Sequence, residues 1–169
     1  MIPHYGDEAM IGCGPDIACS KRSDSTGSAQ NRRAVSQSDI LVTARSVLGT
    51  PFRHQGRTPQ HGFDCVGLIL WVAWELDLSR YDQSGYPRSF RDDRLLKGAV
   101  AAGFTRVDWP ESGDMICLSL EGGGVSHAGI STGKGIIHAC ERVGKVIEHR
   151  MDAAWRRSIH CGFRFPGIK

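Results

Sequence analysis

No stretch of this 169-residue sequence approaches the roughly eighteen consecutive apolar residues of a membrane-spanning helix. The opening "MIPHYGDEAMIGCGPD" lacks the basic-then-apolar order of a secretory signal. The expectation is therefore a chain made and folded in a reducing cytoplasm. There, the six cysteines at 13, 19, 65, 117, 140 and 161 do not read as a disulfide framework. Cys-x-x-Cys and His-x-x-x-His pairs are missing as well, so no metal or other cofactor is expected. "EGGGVSH" leads into a strand and holds no Lys-Ser/Thr step, which excludes a phosphate-cradling loop. Like charges never run as a block. The net charge is only +3, and Lys21-Arg22, Arg32-Arg33 and Arg156-Arg157 stand as isolated pairs. No zinc-finger spacing or RNA-reading aromatic motif accompanies them, so nucleic acid is not an expected partner.

What is present falls into two parts. Residues 1–37 include "CSKRSDSTGSAQNRRAVSQSD", which is too poor in large apolar side chains to bury much surface alone. It reads as a polar arm, flexible or held by a partner. Residues 38–169 read as one domain. "SDILVTARSVLGTP" predicts a short amphipathic helix capped by Ser38 or Asp39 and stopped by Gly49 and Pro51. "FRHQGRTPQHGF" is punctuated as a loop. Cys65 to about Leu78 is apolar on nearly every face and predicts a buried helix. "SFRDDRLLKGAVAAGF" predicts a third helix, with Ser89 as cap, Asp92 and Asp93 in its first turn and Gly103 at its end. From residue 113 on, "DMICLSL", "VSHAGIS", "GIIHAC", "VIEHR" and "CGFRF" are short β-rich runs parted by Gly-rich turns, an antiparallel meander. Helices followed by strands imply an α+β fold.

The candidate chemistry begins at Cys65. Asp64 is a good N-cap, so Cys65 falls in a first helical turn. Free N–H groups and the helix dipole there favour a thiolate. A buried sulfur serving as a small hydrophobe is the competing reading. A thiol nucleophile needs a base within reach, and that base needs an orienting group. His127 in "GGGVSHAGIS" and His138 in "GKGIIHAC" lie on consecutive predicted strands about equally far from the "TGKG" turn. Strands about 5 Å apart would bring the two imidazoles together. Two satisfied half-buried histidines remain the alternative. His54, His61, His149 and His160 read as loop or surface residues.

These segments together resemble the NlpC/P60 family of papain-like cysteine peptidases that cut bacterial cell-wall peptides. The likeness is carried by "GTPFRHQG", "GFDCVGLI", "SGDMICL", "SHAGISTGKGIIHA" and "DAAWRRSIHCGFRFP". It spans residues 39–167 in the family's order. The resemblance implies a papain-like fold with the nucleophile helix packed on the sheet. It implies Cys65 as nucleophile, His127 as catalytic histidine and His138 as the residue orienting it. It also implies that Phe52, His54, Asp64 and Ser126 line the substrate cleft, although for Asp64 helix capping is the stronger reading. At the position where the family carries an active-site tyrosine this chain has Phe52, and Gln55-Gly56 replaces a Gly-Gly pair.

"TPFRHQG", "GYPRSFRDDRLLKGAVAAGFTRV" and "WRRSIHCGFRFP" look most like members carried on phage tails and gene-transfer agents. That implies a virion tail-tip protein assembled in the host cytoplasm and acting on the wall. Its substrate would be a peptidoglycan stem peptide. Its partners would be tail-tip or baseplate proteins, reached through the arm. A catalytically silent structural component, or an acyltransferase on the same fold, are the alternatives to a peptidase.

Overall fold

The computed structural model describes residues 33–89, 92–120 and 123–169. The expected arm lies almost wholly outside these residues. Helix α1 spans Gln37–Arg45. Its cap is Ser36, whose backbone N–H donates to Asp39 at 2.8 Å. The predicted cap at Ser38 or Asp39 is thus corrected: Asp39 is the third helical residue and reaches back to serve the true cap, as a capping-box acid does. Ile40 and Ala44 bury its inner face, and Val47 just beyond the helix is buried too.

Helix α2, Cys65–Glu75, is buried from Val66 to Ala73. It contains no charged residue before Glu75, so it finds a place only between α1 and the sheet. It stops sooner than the apolar pattern suggests. Asp77 takes a left-handed φ of 57° and the Leu78 N–H turns back to the Ala73 carbonyl at 2.8 Å. Helix α3 spans Arg94–Ala101. Asp93 is its N-cap and not a first-turn residue, and Ser89 lies several residues ahead of the helix. Gly103, at φ 87°, follows its end as predicted.

Two-residue strands β1 (Arg57–Thr58) and β2 (Gly62–Phe63) form a small ladder within the segment read as loop. The main sheet contains β3 (Thr105–Val107), β4 (Met115–Leu118), β5 (His127–Ser131), β6 (Gly135–Cys140), β7 (Lys145–Arg150) and β8 (Ile159–Arg164). All its pairings are antiparallel, in the order β3-β8-β4-β5-β6-β7. The expected meander is therefore real from β4 to β7. After the short helix α4 (Ala153–Arg157), β8 crosses back to pair with β4. β3 is an edge strand with two exposed residues out of three, too short for alternation to reveal it.

The sheet separates two apolar clusters. Met115, Cys117, Ala128, Ile137 and Ala139 join α1 and α2 in the larger one. Ile116, Leu118, Ile136 and Met151 form the smaller one, against which Trp155 of α4 packs. The α+β class and the nucleophile-type helix lying on an antiparallel sheet agree with the expectation from sequence.

One close approach fixes the mouth of α2. A Cβ on Gly67 would lie 1.8 Å from the Gly56 carbonyl oxygen, and one on Gly56 would lie 2.2 Å from that of Gly62. These are backbone atoms, which cannot swing aside as a side chain would. Gly67→Ala is accordingly expected to destabilise the protein by about 3 kcal/mol, the upper range for overpacking. Urea denaturation measures this; a change under about 0.5 kcal/mol would show that the loop moves away freely.

Candidate active site

Cys65 is the first residue of α2, directly after the cap. Asp64 is 4% exposed, and its Oδ1 accepts the Gly67 N–H at 2.8 Å. The other carboxylate oxygen accepts the Gln55 N–H at 2.6 Å and the Tyr86 hydroxyl at 2.8 Å. Arg57 Nη1 stands 3.6 Å away and His54 Nδ1 3.5 Å away. The carboxylate thus caps the helix and gathers the 54–57 loop and Tyr86 around it. Gln55 adopts φ 56° to present its N–H. Its side chain then donates to the Tyr86 carbonyl at 3.1 Å and accepts from the Gly85 N–H at 3.0 Å.

Cys65 and His127 line one cleft together with Phe52, His54, Asp64 and Ser126. All six of these residues were picked from the sequence. Tyr86, Arg88, Ala139 and Glu141 complete the lining, and sequence reasoning passed over them. Arg88 and Glu141 pair at 3.0 Å on the exposed rim. Tyr86 is the more consequential omission. Position 52 carries no phenol, yet a phenol enters the cleft from the 79–89 segment and is anchored on Asp64. "SGYPRS" offered no periodicity by which to assign it.

His127 opens β5, and its Nε2 lies 2.7 Å from Nδ1 of His138 on β6. The register pairs Ile130 with Ile137 and Ser131 with Ile136. Continued, it sets Gly129 opposite His138, so the two histidines are diagonal neighbours on one face. His138 is 2% exposed. Its ring also meets those of His149, at 5.1 Å between centroids, and Trp155, at 5.4 Å. His149, read from sequence as a surface residue, is half-buried against this cluster. Thr58 Oγ1 and His61 Nδ1 lie within 2.8 Å of each other at the surface, and His160 is exposed on β8.

Electrostatics departs from the sequence expectation. Enclosure pushes the Cys65 thiol up to about 12, with the Asp64 charge adding to it. The N–H groups of Ala128 on β5 and of Val66 and Cys65 at the helix end act in the opposite direction, but they are outweighed. Burial lowers His127 to about 4, against a smaller upward pull from Asp64. Burial likewise lowers His138 to about 3, helped by His127 and His149. At neutral pH the resting thiol and both imidazoles are uncharged. An unpaired charge on either group would be costly at this burial.

Comparison with known proteins agrees with this architecture. The model of the NlpC/P60 family matches residues 49–164. The gamma-DL-glutamyl hydrolase of Bacillus subtilis (strain 168) is 28% identical over 141 residues, covering 80% of this chain and 32% of that protein. The murein DD-endopeptidase MepH of Escherichia coli (strain K12) is 28% identical over 102 residues, or 60% of this chain and 35% of that protein. The chain thus spans about a third of the length of these curated relatives. Among solved structures, the NlpC/p60 domain of the peptidoglycan hydrolase SagA superposes with a TM-score of 0.56 at 22% identity. That superposition covers 78% of this chain and all of that domain. A family match over most of the chain, on a fold that superposes with a solved member, leads to one conclusion: the chain belongs to the NlpC/P60 family.

Proposed function

We propose that this protein is a cysteine endopeptidase that hydrolyses amide bonds in peptidoglycan stem peptides. One observation carries the reading. A thiol at a capped helix mouth shares a cleft with His127, whose far nitrogen is held at 2.7 Å by His138. This is the nucleophile, base and orienter of thiol hydrolysis.

The reaction starts from the uncharged pair. Cys65 Sγ attacks the amide carbonyl carbon while its proton passes to Nδ1 of His127, the nitrogen not engaged by His138. Backbone N–H groups of the first turn of α2 stabilise the oxyanion. The Gly67 N–H is taken by Asp64, which leaves those of Cys65 and Val66 beside the sulfur. The tetrahedral species collapses as the C–N bond breaks and His127 gives its proton to the leaving amine. Water, activated by His127, then cleaves the thioester. Phe52, His54 and Ser126 line the path of the substrate, and Asp64 acts on it through the helix cap and Tyr86.

For the bond cut, the proposal is γ-D-glutamyl to diaminopimelate, supported by the family likeness and by a relative named as a gamma-DL-glutamyl hydrolase. For its setting, the tail tip of a phage or phage-like particle is proposed, with residues 1–37 as attachment to tail-tip or baseplate proteins and residues 38–169 as the peptidase domain. The motifs "TPFRHQG", "GYPRSFRDDRLLKGAVAAGFTRV" and "WRRSIHCGFRFP" support that setting.

Digestion of purified sacculi followed by mass spectrometry tests the activity. Wild type is expected to release fragments ending at one stem-peptide bond, and Cys65→Ala none. Equal release by both would sink the thiol mechanism, and no release by either across several wall chemistries would favour a structural component.

The pH profile tests the role of His127. The base must be neutral, so kcat/KM is lost as pH falls through the folded pKa. Because burial depresses that pKa from 6.5, the acid limb is expected at about 4. A limb near the ordinary imidazole value, measured on a soluble stem peptide, would contradict the assignment.

A further inference from the structure

His138 leaves one polar atom unaccounted for. Its Nε2 is fully buried and has no hydrogen-bond partner among the described residues. Buried polar atoms of this kind call for an explanation. The hydrogen-bond pattern of the site, which rests on the peptidase reading above, determines what this atom must be. If Nδ1 of neutral His127 is to receive the thiol proton, its Nε2 carries the hydrogen. That hydrogen points at Nδ1 of His138, 2.7 Å away, which must therefore be a bare acceptor. A neutral imidazole has one N–H, so the hydrogen of His138 resides on the buried Nε2. The reverse arrangement would place a hydrogen on Nδ1 of His138 and another on Nδ1 of His127, and that base could not accept a proton from sulfur.

Two rings stand beside this imidazole. The His149 ring meets His138 at 5.1 Å between centroids, and its Nδ1–H donates to the Arg150 carbonyl at 3.0 Å. Trp155 crosses His138 at 69° with centroids 5.4 Å apart, an edge-to-face arrangement. Its backbone is fixed from both ends. Asp152 accepts the Trp155 N–H at 3.0 Å, and the Ser158 hydroxyl donates to the Trp155 carbonyl at 2.7 Å. His149 presses on the indole, with centroids 4.6 Å apart.

We propose that Trp155 is a positioning residue for the hydrolysis: its indole face receives the Nε2–H of His138 and so holds that histidine in the tautomer that lets His127 act as a base. The negative face of an aromatic ring attracts an N–H edge and repels a nitrogen lone pair. One contact therefore favours the productive arrangement and disfavours the unproductive one. The groups facing the imidazoles are His127 and His149 around His138, and Asp64 and His149 around His127. Of the two neighbouring rings the indole is the more electron-rich, and so the better π acceptor for an N–H.

Trp155→Phe, which keeps a π face, and Trp155→Leu, which does not, test this in the full chain. Long-range proton–nitrogen NMR correlations on wild type are expected to show His138 protonated at Nε2. Trp155→Leu is expected to show a tautomer mixture and a kcat about two- to fivefold lower at unchanged KM, the size of one N–H to π contact. Trp155→Phe should recover most of the rate. The proposal is overturned by Nδ1 protonation of His138 in wild type, or by a Leu variant with wild-type kcat and tautomer. Should Trp155→Leu fail to fold, the wild-type tautomer and the Phe variant still decide. If wild type hydrolyses no wall peptide, the peptidase reading falls, while the tautomer measurement still judges the role of Trp155.

Discussion

The buried carboxylate of Asp64 is the constraint from which the rest of the site follows. It terminates α2 with a hydrogen bond to Gly67, and that sets Cys65 as the first helical residue. A free carboxylate at 4% exposure would be intolerable without partners, and here the partners form the cleft wall. The Gln55 N–H, the Tyr86 hydroxyl and the nearby Arg57 guanidinium are drawn in by the same two oxygens. Arg57 in turn lies 5.6 Å over the Tyr86 ring and binds Asp82 at 2.9 Å. One cap residue therefore places the sulfur, the loop beside it and the phenol opposite.

The second organising element is the sheet, which the site joins from both sides. Cys65 belongs to the helix on the larger cluster, whereas His138 shares its face with Ile136 of the smaller one. The residue across from His138 is Gly129, and its missing side chain leaves room for Ile136. A Cβ at Gly129 would meet Ile136 at 2.6 Å. The smaller cluster would otherwise look like mere backing for the sheet. With Trp155 packed against it and the His149 ring against that indole, it also backs the buried His138 imidazole.

Much of this was legible in the sequence because periodicity and punctuation are local. The all-apolar run after Cys65, the Gly-rich turns and the two histidines flanking "TGKG" identified the helix, the meander and the imidazole pair. What was not legible depends on distance along the chain. Tyr86 reaches Asp64 across 22 positions, and His149 reaches His138 by a strand register that residue types alone do not set. β8 returning to β4 is likewise a matter of topology. The thiol pKa went astray for a related reason: the helix end is visible in sequence, but the enclosure that outweighs it is made by five separate segments.

The contact of Gly67 with Gly56 has a further meaning in terms of mechanical tolerance. Backbone rests on backbone, with no side chain between them to absorb an error. The first turn of α2, which carries Cys65, and the 53–56 loop beside the cleft are thus a single machined part, whose two halves cannot be adjusted separately. A loop grafted from a relative would have to arrive with its own helix mouth. The rim formed by Arg88 and Glu141 sits at the other extreme, held by two exposed side chains alone. Variation in what the cleft admits has room to accumulate there while the thiol stays where it is.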